Sequence, residues 1–211
     1  MHLIVRNLTE GSPIYTANAY LCTIDTSLQK NDLGDSRDKW CGILIDTGCD
    51  PRIVDELKKI EREILHQPVC DVILTHSHYD HTRMHSIIRE TWQVRTFAYS
   101  AYIDGIDQVI KGGERIIING SVFEFIHVPG HSTDSLCVYC PKEEILFSGD
   151  SPLTIWGTEG TYELPFVRAF ETLVNLKISK IYPGHGEPIT RECNQVLDQS
   201  LRNLRKSRIL S

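Results

Sequence analysis

The stretch Val72-Ile73-Leu74-Thr75-His76-Ser77-His78-Tyr79-Asp80-His81 decides how the rest of the chain is read. Its first four residues are apolar or β-branched and predict a buried strand. Its last six carry three imidazoles and a carboxylate, a donor density that packing alone does not explain. Alternate side chains of an extended segment point the same way, so His76 and His78 can grip one ion. Asp80 and His81, where the chain turns into a helix, can aim at a second point nearby.

Three other strand ends share this grammar. Val128-Pro-Gly-His131, Ser148-Gly-Asp150 and Tyr182-Pro-Gly-His185-Gly each put one ligand-type residue after a strand, with glycine beside it. Glycine lets backbone approach a site closely. Working outward, strands are predicted over 3–6, 19–24, 42–46, 71–75, 94–98, 116–118, 122–128, 136–140, 145–148 and 180–182. Asp50-Pro51 reads as a helix cap followed by proline at the first helical position, and Ile53, Leu57, Ile60 and Ile64 form the apolar stripe of that helix. Further helices are expected over 80–91, 162–176 and 192–206. The polar stretch 25–39 reads as an exposed loop or hairpin tip. No linker divides the chain, so the expectation is one α/β domain over 1–211, with 190–211 forming a C-terminal helix. A weak echo between Gly42-Ile-Leu-Ile-Asp46 and Glu144-Ile-Leu-Phe-Ser-Gly-Asp150 hints at two similar halves.

Composition narrows the function classes. The 211 residues are enough for a full core, and 22 basic against 28 acidic side chains give a net charge of −6. That balance argues against a nucleic-acid partner, which clustered Lys and Arg would serve. No apolar run approaches the ~20 residues of a membrane span. The opening Met1-His2-Leu3-Ile4-Val5-Arg6 lacks the zones of a secretory signal, so a cytoplasmic location is expected. Seven cysteines, an odd number, do not read as a disulfide framework. Cys137-Val-Tyr-Cys140 has C-x-x-C spacing, but on a strand the two face opposite sides, and no second such pair exists. Buried reduced thiols are expected there.

With these residues in view, the sequence resembles the metallo-β-lactamase-fold hydrolases, and within them the glyoxalase II-like branch. Asp46-Thr-Gly48, His76-x-His78-x-Asp80-His81, His131, Asp150 and His185 carry the resemblance, in that order. It implies a four-layer αβ/βα sandwich with two divalent metal ions, Zn²⁺ first and Fe or Mn as alternatives. His76, His78 and His131 would hold one ion, Asp80, His81 and His185 the other, and Asp150 would bridge them. Asp80 and Asp150 would be the catalytic carboxylates, and Asp46 would fix the ligand loop by hydrogen bonding. The implied reaction is attack of a metal-bridging hydroxide on a small thioester, ester or lactone, with a small acyl compound as the partner molecule. Relatives that oxidise persulfides at a single iron resemble the same branch and supply the alternative. The sequence leaves the oligomeric state open.

The chain also departs from that pattern. Where relatives run on through a Gly pair, Thr82-Arg83-Met84-His85 stands here; His85 reads as a polar helix residue, or less readily as a further ligand. His127 reads as a packed or edge histidine, and His2 and His66 as surface. Asp134 is a turn residue or a polar wall of the site. Trp156 and Tyr162 either line a substrate pocket or pack the following helix. The 26 residues after His185 fit one helix and not the glutathione-binding domain of longer relatives; Arg202, Arg205, Lys206 and Arg208 read as its solvated face.

Overall fold

The computed structural model describes residues 3–24, 41–64, 67–100 and 102–210; His2, His66 and the stretch 25–39 lie outside them. The chain forms two compact units, Met1–Val109 with Ile118–Gly120, and Ile110–Ile117 with Ser121–Ser211. Both are mixed α/β. Among the described residues no helix is long and apolar enough to cross a membrane.

The first unit holds a six-stranded sheet in chain order: β1 (Leu3–Asn7), β2 (Tyr20–Ile24), β3 (Gly42–Ile45), β4 (Val69–Ile73), β5 (Arg95–Ala98) and β6 (Gln108–Val109). The pairs β1–β2 and β2–β3 are antiparallel, and from β3 onward the strands run parallel. Strand β3, an apolar run in the interior of the sheet, is buried along its whole length. Helix α1 (Arg52–Ile64) makes the crossover from β3 to β4. Asp50 Oδ1 accepts from the Arg52 N–H and caps it, and Ile53, Val54, Leu57 and Ile60 are buried. Register places Ile45 beside Ile73, so Asp46 and the loop after β4 emerge at the same carboxyl edge.

The second unit repeats that arrangement by other connections. Its sheet contains β7 (Arg115–Ile118), β8 (Ser121–His127), β9 (Leu136–Cys140), β10 (Ile145–Gly149) and, after two further elements, β12 (Lys180–Pro183), in the order β12-β10-β9-β8-β7. Because β8–β9 and β9–β10 are antiparallel and β10–β12 is parallel, β8, β10 and β12 run in one direction. Their carboxyl ends therefore deliver His131, Asp150 and His185 to the same edge of the sheet. Between β10 and β12 come β11 (Thr161–Glu163) and helix α4 (Leu164–Val174). Helix α5 (Cys193–Leu204) and strand β13 (Arg208–Leu210) close the described chain, with β13 pairing parallel to β11. Phe166, Phe170, Leu173, Leu197 and Leu201 pack into the core of this unit.

Four local expectations are revised. The helix expected over 80–91 is two pieces, α2 (Tyr79–Thr82) and α3 (His85–Trp92). The carbonyls that would continue it are taken by distant donors: Ala17 N–H binds the Asp80 carbonyl, and the Thr47 N–H and hydroxyl both bind that of His81. The Met84 N–H turns to the Gly48 carbonyl instead of closing a helical turn. Tyr162 lies in strand β11, and the helix begins only at Leu164-Pro165, where proline suits the first turn. The chain beyond α5 returns as strand β13. Finally, Cys41 and Cys70 form a disulfide with Cα atoms 5.6 Å apart, where the odd cysteine count had not read as a disulfide framework. They lie at the paired starts of β3 and β4. Cys137 and Cys140 are free and buried as expected, and burial pushes the Cys137 thiol up to about 12 despite a hydrogen bond with Ser151.

Two outcomes follow from this packing. The disulfide closes a loop with a sequence separation of 29, for which chain entropy gives about 3–4 kcal/mol. Reduction, or replacing both Cys41 and Cys70 by Ser, should lower the thermal midpoint, whereas Cys140→Ser should shift it far less. His85 is buried with its Nε2 against Thr96 Oγ1, and burial, with help from the Arg89 charge, holds its pKa below 6.5. The unfolded chain therefore takes up this proton first, and stability should fall as pH drops below 6.5. His85→Gln should flatten that part of the stability–pH curve, measured by denaturant unfolding.

Candidate metal centre

In the first unit the ligand loop is built around a buried carboxylate. Asp46 follows β3 directly and takes the left-handed conformation, φ 57°, that a non-glycine residue rarely adopts. Its Oδ1 accepts the Thr75 N–H at 2.7 Å; its Oδ2 accepts the Thr75 hydroxyl at 2.8 Å and the Nδ1–H of His81 at 2.8 Å. A charge so deeply buried is tolerable only with such pairing. Donation from Nδ1 leaves the His81 lone pair on Nε2. The Thr75 hydroxyl has given its proton to Asp46, so it accepts from His76 Nδ1 at 3.1 Å, and the His76 lone pair likewise lies on Nε2. One carboxylate thus sets the tautomer of two imidazoles.

The rings these bonds orient stand close together. His76 and His81 are buried, with ring centroids 4.1 Å apart, and the His78 ring lies 4.6 Å from His76. The Asp80 Oδ2 is 3.9 Å from His81 Nε2. Gly48 at φ 63° lets the loop pass Thr16, where a Cβ would stand 2.9 Å from the threonine hydroxyl. Thr75 is the residue that the sequence reading missed. Its only signal was its place, the last strand residue before His76.

In the second unit His131 and His185 approach the same oxygen. Their Nε2 atoms lie 3.4 and 3.5 Å from Asp150 Oδ2. Those separations exceed a good hydrogen bond. They match the spacing of donors about 2.0–2.2 Å from a shared tetrahedral ion, which stand about 3.3–3.5 Å from one another. The backbone supports this edge, since the Gly184 N–H donates to the Gly149 carbonyl at 2.8 Å. His131 and Asp150 also line a groove of about 520 Å³ whose walls include Tyr162, Phe166 and Leu210. Tyr162 therefore lies where a pocket residue should, whereas Trp156 is 84% exposed and is not among the groove's lining.

The remaining candidates find local partners. His85 bonds Thr96, His127 Nε2 bonds the Thr133 carbonyl, and Asp134 Oδ1 accepts the Ser132 hydroxyl, the bonding of a turn residue. Imidazole nitrogens and carboxylate oxygens, with no thiolate among them, form a set suited to Zn²⁺, Fe or Mn.

Known proteins resemble this chain over most of its length. A family model described as "Metallo-beta-lactamase superfamily" matches residues 41–104 and 88–185. An "Atrochrysone carboxyl ACP thioesterase" of Aspergillus fumigatus is 30% identical over 145 residues, covering 66% of this chain and 45% of that protein. The chain thus spans less than half the length of this curated relative. Among solved structures, BLEG-1 B3 metallo-beta-lactamase aligns with a TM-score of 0.66 at 20% identity, over 95% of this chain and 100% of that one. The structure described as "Peroxy diiron species of chemotaxis sensor ODP" aligns at 0.68 and 18% identity, over 95% and 91%. Likeness at that identity fixes the fold alone: α/β, of the metallo-beta-lactamase type. The finer expectation of a glyoxalase II-like branch gives way to the superfamily as a whole, since the curated similarity runs to an ACP thioesterase.

The Thr75 relay gives a direct test. Thr75→Val keeps the shape of the side chain and removes its hydroxyl, so affinity for Zn²⁺ in a chelator competition should fall about 10–100-fold. Thr75→Ser should restore it. Unchanged affinity in the valine variant would mean that the hydroxyl does not orient His76.

Proposed function

The chain belongs to the metallo-beta-lactamase superfamily, and from that premise we propose a metal-dependent hydrolase of acyl thioesters. His76, His78 and His131 would hold one divalent ion and Asp80, His81 and His185 a second, with Asp150 available to both. The observation that carries the reading is the pair of imidazoles, His131 and His185, drawn to one oxygen of Asp150 at ligand spacing. The oriented Nε2 atoms of His76 and His81 support it from the other unit. The thioester class is favoured by the relative described as an ACP thioesterase.

Bound divalent ions would supply Lewis acidity to the thioester carbonyl and lower the pKa of a water nucleophile. The residues do the rest. Asp46 and Thr75 keep the proton of each oriented imidazole on Nδ1, so that the ligand nitrogens need no rearrangement during turnover. Asp80, on the more open side of its loop, is the carboxylate that receives a proton from the attacking water and returns it to the departing thiolate. Water adds to the carbonyl carbon, the C–S bond breaks, and the products are a carboxylic acid and a thiol. The buried thiols take no part, because Cys137 is held protonated far above neutral pH.

Metal analysis of the purified protein, followed by hydrolysis of acyl thioesters monitored by thiol release, tests this. About two divalent ions per chain and metal-dependent thiol release are expected. His78→Ala should lose about one ion and lower turnover more than about a hundredfold, beyond the effect of an outer-shell residue. Full metal retention in that variant would overturn the ligand assignment, and a fully loaded protein inert to every thioester would overturn the substrate class. About one iron per chain with oxygen uptake on a persulfide would move the chain to the oxidoreductases.

A further inference from the structure

We propose that strand β13 forms the selective wall of the acyl groove and that Leu210 makes the site prefer a flat, uncharged, apolar acyl group. The inference rests on the thioesterase reading and adds what that reading lacks, the chemistry of the acyl part.

The groove holds two candidate ligands, His131 and Asp150, so whatever fills it lies against the reacting end of the substrate. Its floor is aromatic. Tyr162 and Phe166 stack nearly parallel, with centroids 5.5 Å apart and planes 17° from each other. Phe166 is almost fully buried, so its ring is fixed by the core. Gly130, next to His131, lies directly against it, where a Cβ would come within 3.0 Å of the ring. Absence of a side chain there brings the ligand-bearing backbone down onto the aromatic floor.

Strand β13 supplies the facing wall. It pairs with β11 in parallel register, Tyr162 beside Ile209 and Glu163 beside Leu210, and the Arg208 N–H donates to the Gly160 carbonyl. Neighbours in register share a face of the ladder, and Glu163 and Leu210 both line the groove. Leu210 is 43% exposed, so it contributes little to the core and its apolar surface is left for an occupant. Glu163 brings a carboxylate beside it, which repels an acyl group carrying its own carboxylate. Flat aromatic floor, apolar wall and fixed negative charge together select a neutral aryl-type acyl chain.

The metal-loaded protein is assayed with 2-naphthoyl, acetyl and succinyl thioesters of N-acetylcysteamine. The naphthoyl thioester should be the best substrate. Leu210→Asp should lower kcat/KM for it about tenfold more than for the acetyl thioester, chiefly through KM. Leu210→Met should keep the wild-type preference, and Glu163→Gln should raise succinyl turnover selectively. Equal losses on naphthoyl and acetyl thioesters, or no loss on either, would overturn the proposal, as would a wild-type preference for acetyl. If the loaded protein hydrolyses none of the three, calorimetric titration with 2-naphthoate and acetate decides. Tighter naphthoate binding that Leu210→Asp removes leaves the groove assignment standing and discards the thioesterase reading; no preference for naphthoate overturns the groove assignment itself.

Discussion

The Asp46 carboxylate is buried at the end of β3 in a strained left-handed conformation, and the ligand loop of the first unit is organised by its hydrogen bonds. Burial of a charge costs several kcal/mol unless its lone pairs are satisfied. Here three donors satisfy them, one from backbone and two from side chains. The cost and the function share an origin. The same donors that make the buried charge tolerable are the Thr75 hydroxyl and the His81 imidazole, and accepting from them fixes which ring nitrogens of His76 and His81 carry lone pairs. That network needs β3 and β4 to be parallel and in register, because only then do Asp46 and Thr75 emerge together. It also needs the helix after the loop to be interrupted, since Thr47, next to Asp46, takes the His81 carbonyl for itself.

The second unit reaches a similar end with less reinforcement. Three strands running in one direction deliver His131, Asp150 and His185, each by a turn with glycine beside the ligand. Its imidazoles keep 31% and 28% of their side-chain surface exposed, while His76 and His81 are buried. Under the proposed function this asymmetry divides the labour. His76 and His81 are oriented in advance and dry. His131 and Asp150 stand open to a groove in which an acyl group can lie.

How much of this the amino-acid sequence discloses depends on the range over which each feature is decided. The His76-to-His81 run after a strand and the three strand ends that carry His or Asp beside glycine are local patterns, and the ligand candidates were read from them. Asp46 was legible for the same reason. Thr75 was not, because a β-branched residue at the end of a β-branched run looks like any other strand residue, and its role appears only once Asp46 is beside it. The break between α2 and α3 was hidden because the groups that take its carbonyls, Ala17 and Thr47, are far away in sequence. The disulfide was hidden by counting: seven cysteines argue against a full framework, but not against one pair held at the starts of neighbouring strands. Strands β11 and β13, three residues each, are too short to show a period of two.

Those short strands carry the distinction between chemistry and specificity. The Asp46–Thr75 network orients donors and makes no contact that could tell one acyl group from another, so it suits any hydrolysis that a metal centre of this type performs. Discrimination has to come from surfaces whose apolar area is covered only when a substrate is present. Tyr162 and Phe166 supply a rigid aromatic face, and Leu210 supplies apolar surface that the core does not use. A three-residue strand whose residues are all exposed is a cheap element to vary, because its side chains are not core and Leu210 lines the groove. On this argument the ligand set accounts for family membership. Under the proposed reading, the β11–β13 pair is where substrate preference is set.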